Sequence, residues 1–85
     1  MKLSRGEFEV VFSRHAIKRA VERNIHWDLV ERTIFSGKIR RVGDNFVWFS
    51  KDFHRGTVLC KAVQAGHDQL LVMTIEWRNY DEKMF

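Results

Sequence analysis

From Glu7 to Ser13 apolar and polar residues alternate, which places Phe8, Val10 and Phe12 on one side of a short predicted strand. The period then lengthens. Ala16, Ile17, Ala20 and Val21 fall within one arc of a helical wheel over Arg14 to Arg23, with His15, Lys18, Arg19, Glu22 and Arg23 on the other. Ser13 is positioned to cap that helix, and Asn24 tolerates the left-handed conformation that closes it. A second helix is predicted from Trp27 to Ser36, with Val30, Ile34 and Trp27 inward, Asp28 in its first turn and Gly37 as its stop. Beyond Gly37 the pattern returns to period two. Strands are expected over Lys38 to Val42, Phe46 to Ser50, Thr57 to Ala65 and Gln69 to Arg78, separated by Gly43-Asp44-Asn45, Asp52 to Gly56 and Gly66-His67-Asp68. Strict alternation in the last strand puts Leu71, Met73, Ile75 and Trp77 on one face, and Leu70, Val72, Thr74, Glu76 and Arg78 on the other. Its first half is apolar on both faces, so a central place in the sheet is expected. The fold predicted is α+β: a short N-terminal strand, two helices, then an antiparallel four-stranded meander in one domain spanning residues 1–85.

Composition supports burial as the source of stability, because 45% of the 85 residues are hydrophobic and they include seven Phe and three Trp. The single Cys60 has no partner for an internal disulfide, which fits a reducing compartment. Charges run through MKLSRGEFEVVFSR, leaving no apolar run of the length that a leader or membrane span requires, so a cytoplasmic protein is expected. The net charge of +4 is unevenly spread: residues 1–41 hold ten Lys/Arg against five Asp/Glu, and residues 42–85 hold five against six. A basic helical half suits a polyanion, and it equally suits a solubilising surface.

Within that basic half, His15, Arg19 and Arg23 follow one another at single helical turns and so share a face that can meet a phosphate tract. The plainer reading of His15 is a hydrogen bond that fixes the helix on the sheet, and of Arg19 and Arg23 an ordinary solvated face. Lys18, Lys38, Arg40 and Arg41 extend the candidate nucleic-acid surface, with Arg40 and Arg41 pointing to opposite sides of their strand. Trp48, Phe49 and Phe53 invite comparison with base-stacking platforms, but in so small a sheet they are read as core. His54 and Arg55 are read as loop residues. His15, His26, His54 and His67 show no metal-ligand spacing, so neither a metal nor a cofactor is expected.

The stretch Ser13-Arg14-His15-Ala16-Ile17-Lys18-Arg19, followed by Arg23, Ile25 and Ile34-Phe35-Ser36-Gly37, resembles a family of small uncharacterised prokaryotic and phage domains that open with a Ser-x-His-Ala-x-x-Arg helix and an Arg-Gly-Ile step. That family is similar to the RelE/ParE toxin superfamily. The likeness runs from about Phe12 to Glu76, with Asn24 where the family has Gly and His26 where it favours Ser or Thr. It implies metal-independent endoribonuclease activity of a toxin-antitoxin kind, with RNA or the ribosome as target, an antitoxin as partner, and a monomer or homodimer. It also implies catalytic groups near the end of the last strand, where Glu76, Arg78 and Tyr80 stand. The candidate catalytic set is therefore His15, Arg19, Arg78 and Tyr80: Arg78 to stabilise transition-state charge, Tyr80 to donate a proton. The alternative is a non-catalytic module that binds nucleic acid or an antitoxin through the same basic surface.

Overall fold

A computed structural model describes residues 2–79. The elements run β1 (Lys2–Arg5), β2 (Phe8–Phe12), α1 (Arg14–Glu22), α2 (Trp27–Ser36), β3 (Lys38–Val42), β4 (Phe46–Phe53), β5 (Gly56–Gln64) and β6 (Gln69–Arg78). All six strands join one sheet in the order β1-β2-β6-β5-β4-β3, curled into a half-barrel around the two helices. The expected four-stranded antiparallel meander is therefore corrected in two respects. An unforeseen strand, β1, pairs antiparallel with β2, and β2 pairs parallel with β6, so the sheet is mixed. Leu3 is the one aliphatic side chain in β1, too little for a period to register, and alternation carries no information about strand direction. The β1–β2 turn is Gly6-Glu7, with Gly6 at φ +58, as a two-residue hairpin with glycine first requires.

α1 begins where β2 ends. The Ser13 side chain accepts a 3.0 Å hydrogen bond from the Ala16 N–H, and Asn24 at φ 55 closes the helix. Closure follows the Schellman pattern, with the Asn24 N–H donating to the Val21 carbonyl and the Ile25 N–H to the Ala20 carbonyl. Ala16 and Ala20 are the buried positions, and their small size lets α1 lie close on the sheet. Val21, expected inward, is 72% exposed. α2 buries Val30, Thr33 and Ile34, and Trp27 meets Phe12 edge to face at 4.8 Å. Gly37 ends α2 at φ -72, so it is not a left-handed cap; an added Cβ would collide with the Thr33 and Ser50 carbonyls where α2 passes against β4. Arg5 donates to the Ile34 and Gly37 carbonyls and so caps the end of α2 from β1.

β6 is central, flanked by β2 and β5. Its strict alternation fails at one place. The β5 register shifts between Lys61 and Ala62, which face Thr74 and Val72, so Met73 is an extra residue in a bulge. The insertion reverses the faces of everything on one side of it. Leu70, Val72, Ile75 and Trp77 turn toward the helices, the first three fully buried, while Met73, Thr74, Glu76 and Arg78 share the opposite face with Leu71. The core between sheet and helices is completed by Val10, Phe12, Val47, Phe49, Val58, Cys60 and Ala62. No helix among the described residues is long and apolar enough to cross a membrane.

Candidate functional site

The helices cover one face of the sheet, and the other is open. Because side chains alternate, the strand register sets out this open face as successive rows across β3, β4, β5 and β6. At one end stand Asp52, Thr57 and Arg78; next come Lys38, Ser50, Leu59 and Glu76; then Arg40, Trp48, Lys61 and Thr74; and last Val42, Phe46, Val63 and Leu71. The surface grades from polar and cationic to apolar. Its charged residues on these strands are Lys38, Arg40, Lys61 and Arg78 against Asp52 and Glu76, a balance of four to two.

Both carboxylates are engaged. Asp52 accepts a 2.7 Å hydrogen bond from the Thr57 hydroxyl. Glu76 lies 2.9 Å from the Lys61 ammonium and 4.0 Å from the Arg23 guanidinium. Lys61 Nζ also sits 4.7 Å from the centre of the Trp48 ring, a cation–π contact that holds the indole in place. The side chains of Lys38 and Arg78, both exposed residues, make no hydrogen bond or ion pair with another described residue, which leaves both ammonium and guanidinium available to an anion.

At the polar end these rows open into a cleft of about 430 Å³, lined by Ser36, Gly37, Lys38, Ser50, Lys51, Asp52, Thr57, Arg78 and Asn79. Its volume is in the range of small-molecule sites. Lys38, Arg78, Asp52, Ser50 and Thr57 reach it from the open face, while Ser36, Gly37 and Lys51 border it from the end of α2 and the other side of β4. A second cleft, of about 380 Å³, lies at the apolar end between Val42, Phe46, Trp48, Lys61, Ala62, Met73 and Thr74.

The expected stripe on α1 is divided: His15 and Arg19 stay together, and Arg23 leaves them. His15 is exposed and accepts a hydrogen bond from Arg19 Nε at 3.3 Å, and Arg19 pairs with Glu22 at 3.0 Å. Neither His15, Arg19 nor the exposed Lys18 lines the cationic cleft. His15 bonds a neighbour on its own helix, so the reading in which it pins α1 to a strand is also set aside. Arg23 turns the other way. As the C-cap residue it has left helical geometry, and its guanidinium donates to the Ile75 carbonyl at 2.7 Å and to the Thr74 hydroxyl at 3.4 Å. The cause lies in β6: beyond Val72 the strand has no β2 partner, so Arg23 supplies a donor to its unpaired edge. Trp77 Nε1 returns a 2.8 Å hydrogen bond to the Arg23 carbonyl.

Of the remaining candidates, Lys38 and Arg78 meet in one cleft, and Arg40 stands on the same face. Arg41 takes the helix-covered side, where it donates to Gln64 at 3.4 Å. Tyr80 lies outside the described residues. His54 and Arg55 form the β4–β5 turn. The core reading holds for Phe49, which is fully buried, and for Phe53, which packs against the core; Trp48 departs from it and belongs to the open face. Asp52, Thr57 and Lys61 complete the surface, and Lys51 borders the cleft from the helix-covered side of β4; none of them is among the expected site residues. Lys61 was detectable as the sole charge within the apolar β5, whereas Asp52 was concealed by assigning the end of β4 to a loop.

Cys60 is fully buried on the helix-covered side, and desolvation pushes its thiol up to about 12, so it stays protonated and inert as a nucleophile at neutral pH. Among the described residues no three His, Cys, Asp or Glu side chains are grouped to hold a metal ion. No family model, curated protein or solved structure matches this chain.

Proposed function

We propose that the open face of the sheet binds single-stranded RNA, with phosphates drawn to the Lys38–Arg78 cleft and bases laid toward Trp48. The observation that supports this most strongly is the row register, which sets Arg40, Trp48 and Lys61 side by side on a helix-free surface leading into the cleft that holds Lys38 and Arg78. A curved sheet with an aromatic residue among cations suits unpaired strands, whose bases are free to stack and whose backbone follows the charge. A cytoplasmic setting belongs to the same proposal. The test is fluorescence anisotropy with a labelled octaribonucleotide at rising salt. Binding should weaken with a log–log slope of about -2, the value for roughly three neutralised phosphates on a single strand. Absence of binding, or binding indifferent to salt, would defeat the reading.

Metal-independent cleavage of the bound RNA, as in the toxin-like ribonucleases that the α1 motif resembles, is a second reading. It is favoured by the cleft that Lys38 and Arg78 share with the Asp52–Thr57 pair. In this reading Asp52 takes the proton of a 2′-hydroxyl, the 2′-oxygen attacks phosphorus, Arg78 holds the developing charge, and Lys38 protonates the departing 5′-oxygen. The products are a 2′,3′-cyclic phosphate and a 5′-hydroxyl. An Asp52→Asn variant should lose at least tenfold in cleavage rate while retaining RNA affinity, which corresponds to about 1.4 kcal/mol or more of barrier. Intact RNA after prolonged incubation with folded native protein, alone or with ribosomes, would leave only the binding reading. An antitoxin-type protein partner is part of the toxin reading and would compete with RNA for the open face.

A further inference from the structure

The geometry points to a nucleobase subsite in the apolar cleft beside Trp48, which would take one unstacked base of a strand held on the open face. The inference rests on the RNA-binding reading and deepens it. Phe46 and Met73 are 49% and 44% exposed, a large unprotected apolar area for a small sheet face. Met73 reaches this face because of the β6 bulge, which places it beside Thr74 opposite Lys61.

The rim selects the occupant. Arg40 is directly across from Trp48 on β3, and Lys61 is directly across on β5 with its ammonium 4.7 Å from the ring centre. One face of the indole is therefore covered by a cation, leaving the cleft between Trp48, Phe46, Val42 and Met73 for a flat apolar body. A nucleotide brings such a body together with an anionic charge for Arg40, while Lys61, paired with Glu76, stays over the indole. Trp48 and Ser50 are successive residues on this face of β4, and Ser50 lines the cationic cleft. At about 6.8 Å per two-residue repeat, base subsite and phosphate cleft are adjoining steps along one bound strand. An apolar peptide side chain would fill the cleft but would gain nothing from Arg40.

The test uses the full chain and three probes: octa-adenylate, an abasic backbone of the same length, and adenosine 5′-monophosphate. The native protein should bind octa-adenylate at least tenfold more tightly than the abasic strand, with quenching of tryptophan fluorescence. Trp48→Ala should abolish that preference, with loss of between about fivefold and 150-fold in octa-adenylate affinity, the range for one stacked base. Affinity for the abasic strand should stay unchanged, and Trp48→Phe should retain most of the preference. If the native protein binds both strands equally, or if a folded Trp48→Ala variant keeps the full preference, the subsite is overturned while RNA binding stands. If the monophosphate binds as tightly as the octamer, the cleft takes free nucleotides and the strand-borne base is wrong. If neither strand binds, RNA binding falls and the subsite falls with it. The native-protein comparison decides the question even if Trp48→Ala fails to fold.

Discussion

In an Arg23→Ala variant the Ile75 carbonyl, which accepts a 2.7 Å hydrogen bond from the guanidinium, is left without its donor at the unpaired edge of β6. Hydrogen bonds to charged groups contribute about 1.5–3 kcal/mol. Because the Arg23 side chain is 36% exposed, water can reach the vacated carbonyl and the lower end applies. The 4.0 Å approach to Glu76 is half-exposed and adds no more than about 0.5 kcal/mol. Together the loss is about 2 kcal/mol, which lowers the Tm of a domain of this size by about 8–16 °C. The hydrogen bond from Trp77 survives, since it ends on the Arg23 backbone carbonyl. Thermal unfolding followed by circular dichroism measures the shift, and RNA anisotropy below the transition measures affinity. An exposed control, Arg19→Ala, removes contacts only to His15 and Glu22 and should move the Tm by less than about 4 °C. A variant of Arg23 with native Tm and greatly reduced RNA affinity would refute its role as an edge clamp and restore it to the phosphate surface.

Gly37→Ala should destabilise by about 1–3 kcal/mol in urea unfolding, since the new Cβ forces α2 and β4 apart at two carbonyls; unchanged stability would mean that α2 does not approach β4 so closely. Native Cys60 should react with a thiol reagent at pH 8 only at the rate of unfolding, and rapid stoichiometric reaction would contradict its burial. The same residue gives a signed pH effect. Its folded pKa is raised from 9.0 to about 12, so the unfolded state releases its proton first and stability falls as pH rises through that window. The native protein should therefore lose stability relative to Cys60→Ala with a slope approaching about 1.4 kcal/mol per pH unit, and show no such difference below pH 8. Lys61→Met should keep the fold while releasing Glu76 and the Trp48 ring, which predicts a change in tryptophan emission with a Tm within about 4 °C of native.

Much of the local structure was legible because it rests on short-range chemistry. Ser13 caps α1, Asn24 closes it, and the strands after Gly37 follow turn signals that lie close in sequence. Sequence pattern and structure part where one residue carries a long-range consequence. Met73 occupies a bulge, and that single insertion exchanges the faces of Thr74 through Arg78, bringing Glu76 and Arg78 onto the face of Lys38 and Asp52 and Arg78 into their cleft. Arg23 looked like the third member of a helical stripe, but it is the residue at which the helix ends, so its side chain follows β6 instead. Val21 shares the helical arc of Ala16 and Ala20, yet those two alanines bring α1 near the sheet along a contact too narrow to include it. The basic asymmetry pointed toward the helices. Strand register gathers the cations of the candidate site on the opposite side, drawing Lys61 and Arg78 from the half of the chain that looked neutral.

We place phosphate on the open sheet face and not on the surface of α1. Salt-dependent octaribonucleotide binding should be compared for the native protein, the triple variant Lys38→Ala/Arg40→Ala/Arg78→Ala, and the double variant Lys18→Ala/Arg19→Ala. A log–log slope of about -2 in the native protein and the double variant, reduced nearly to zero in the triple variant, is the predicted result. A slope that persists in the triple variant and vanishes in the double variant would place the phosphate contacts on α1 and contradict the account.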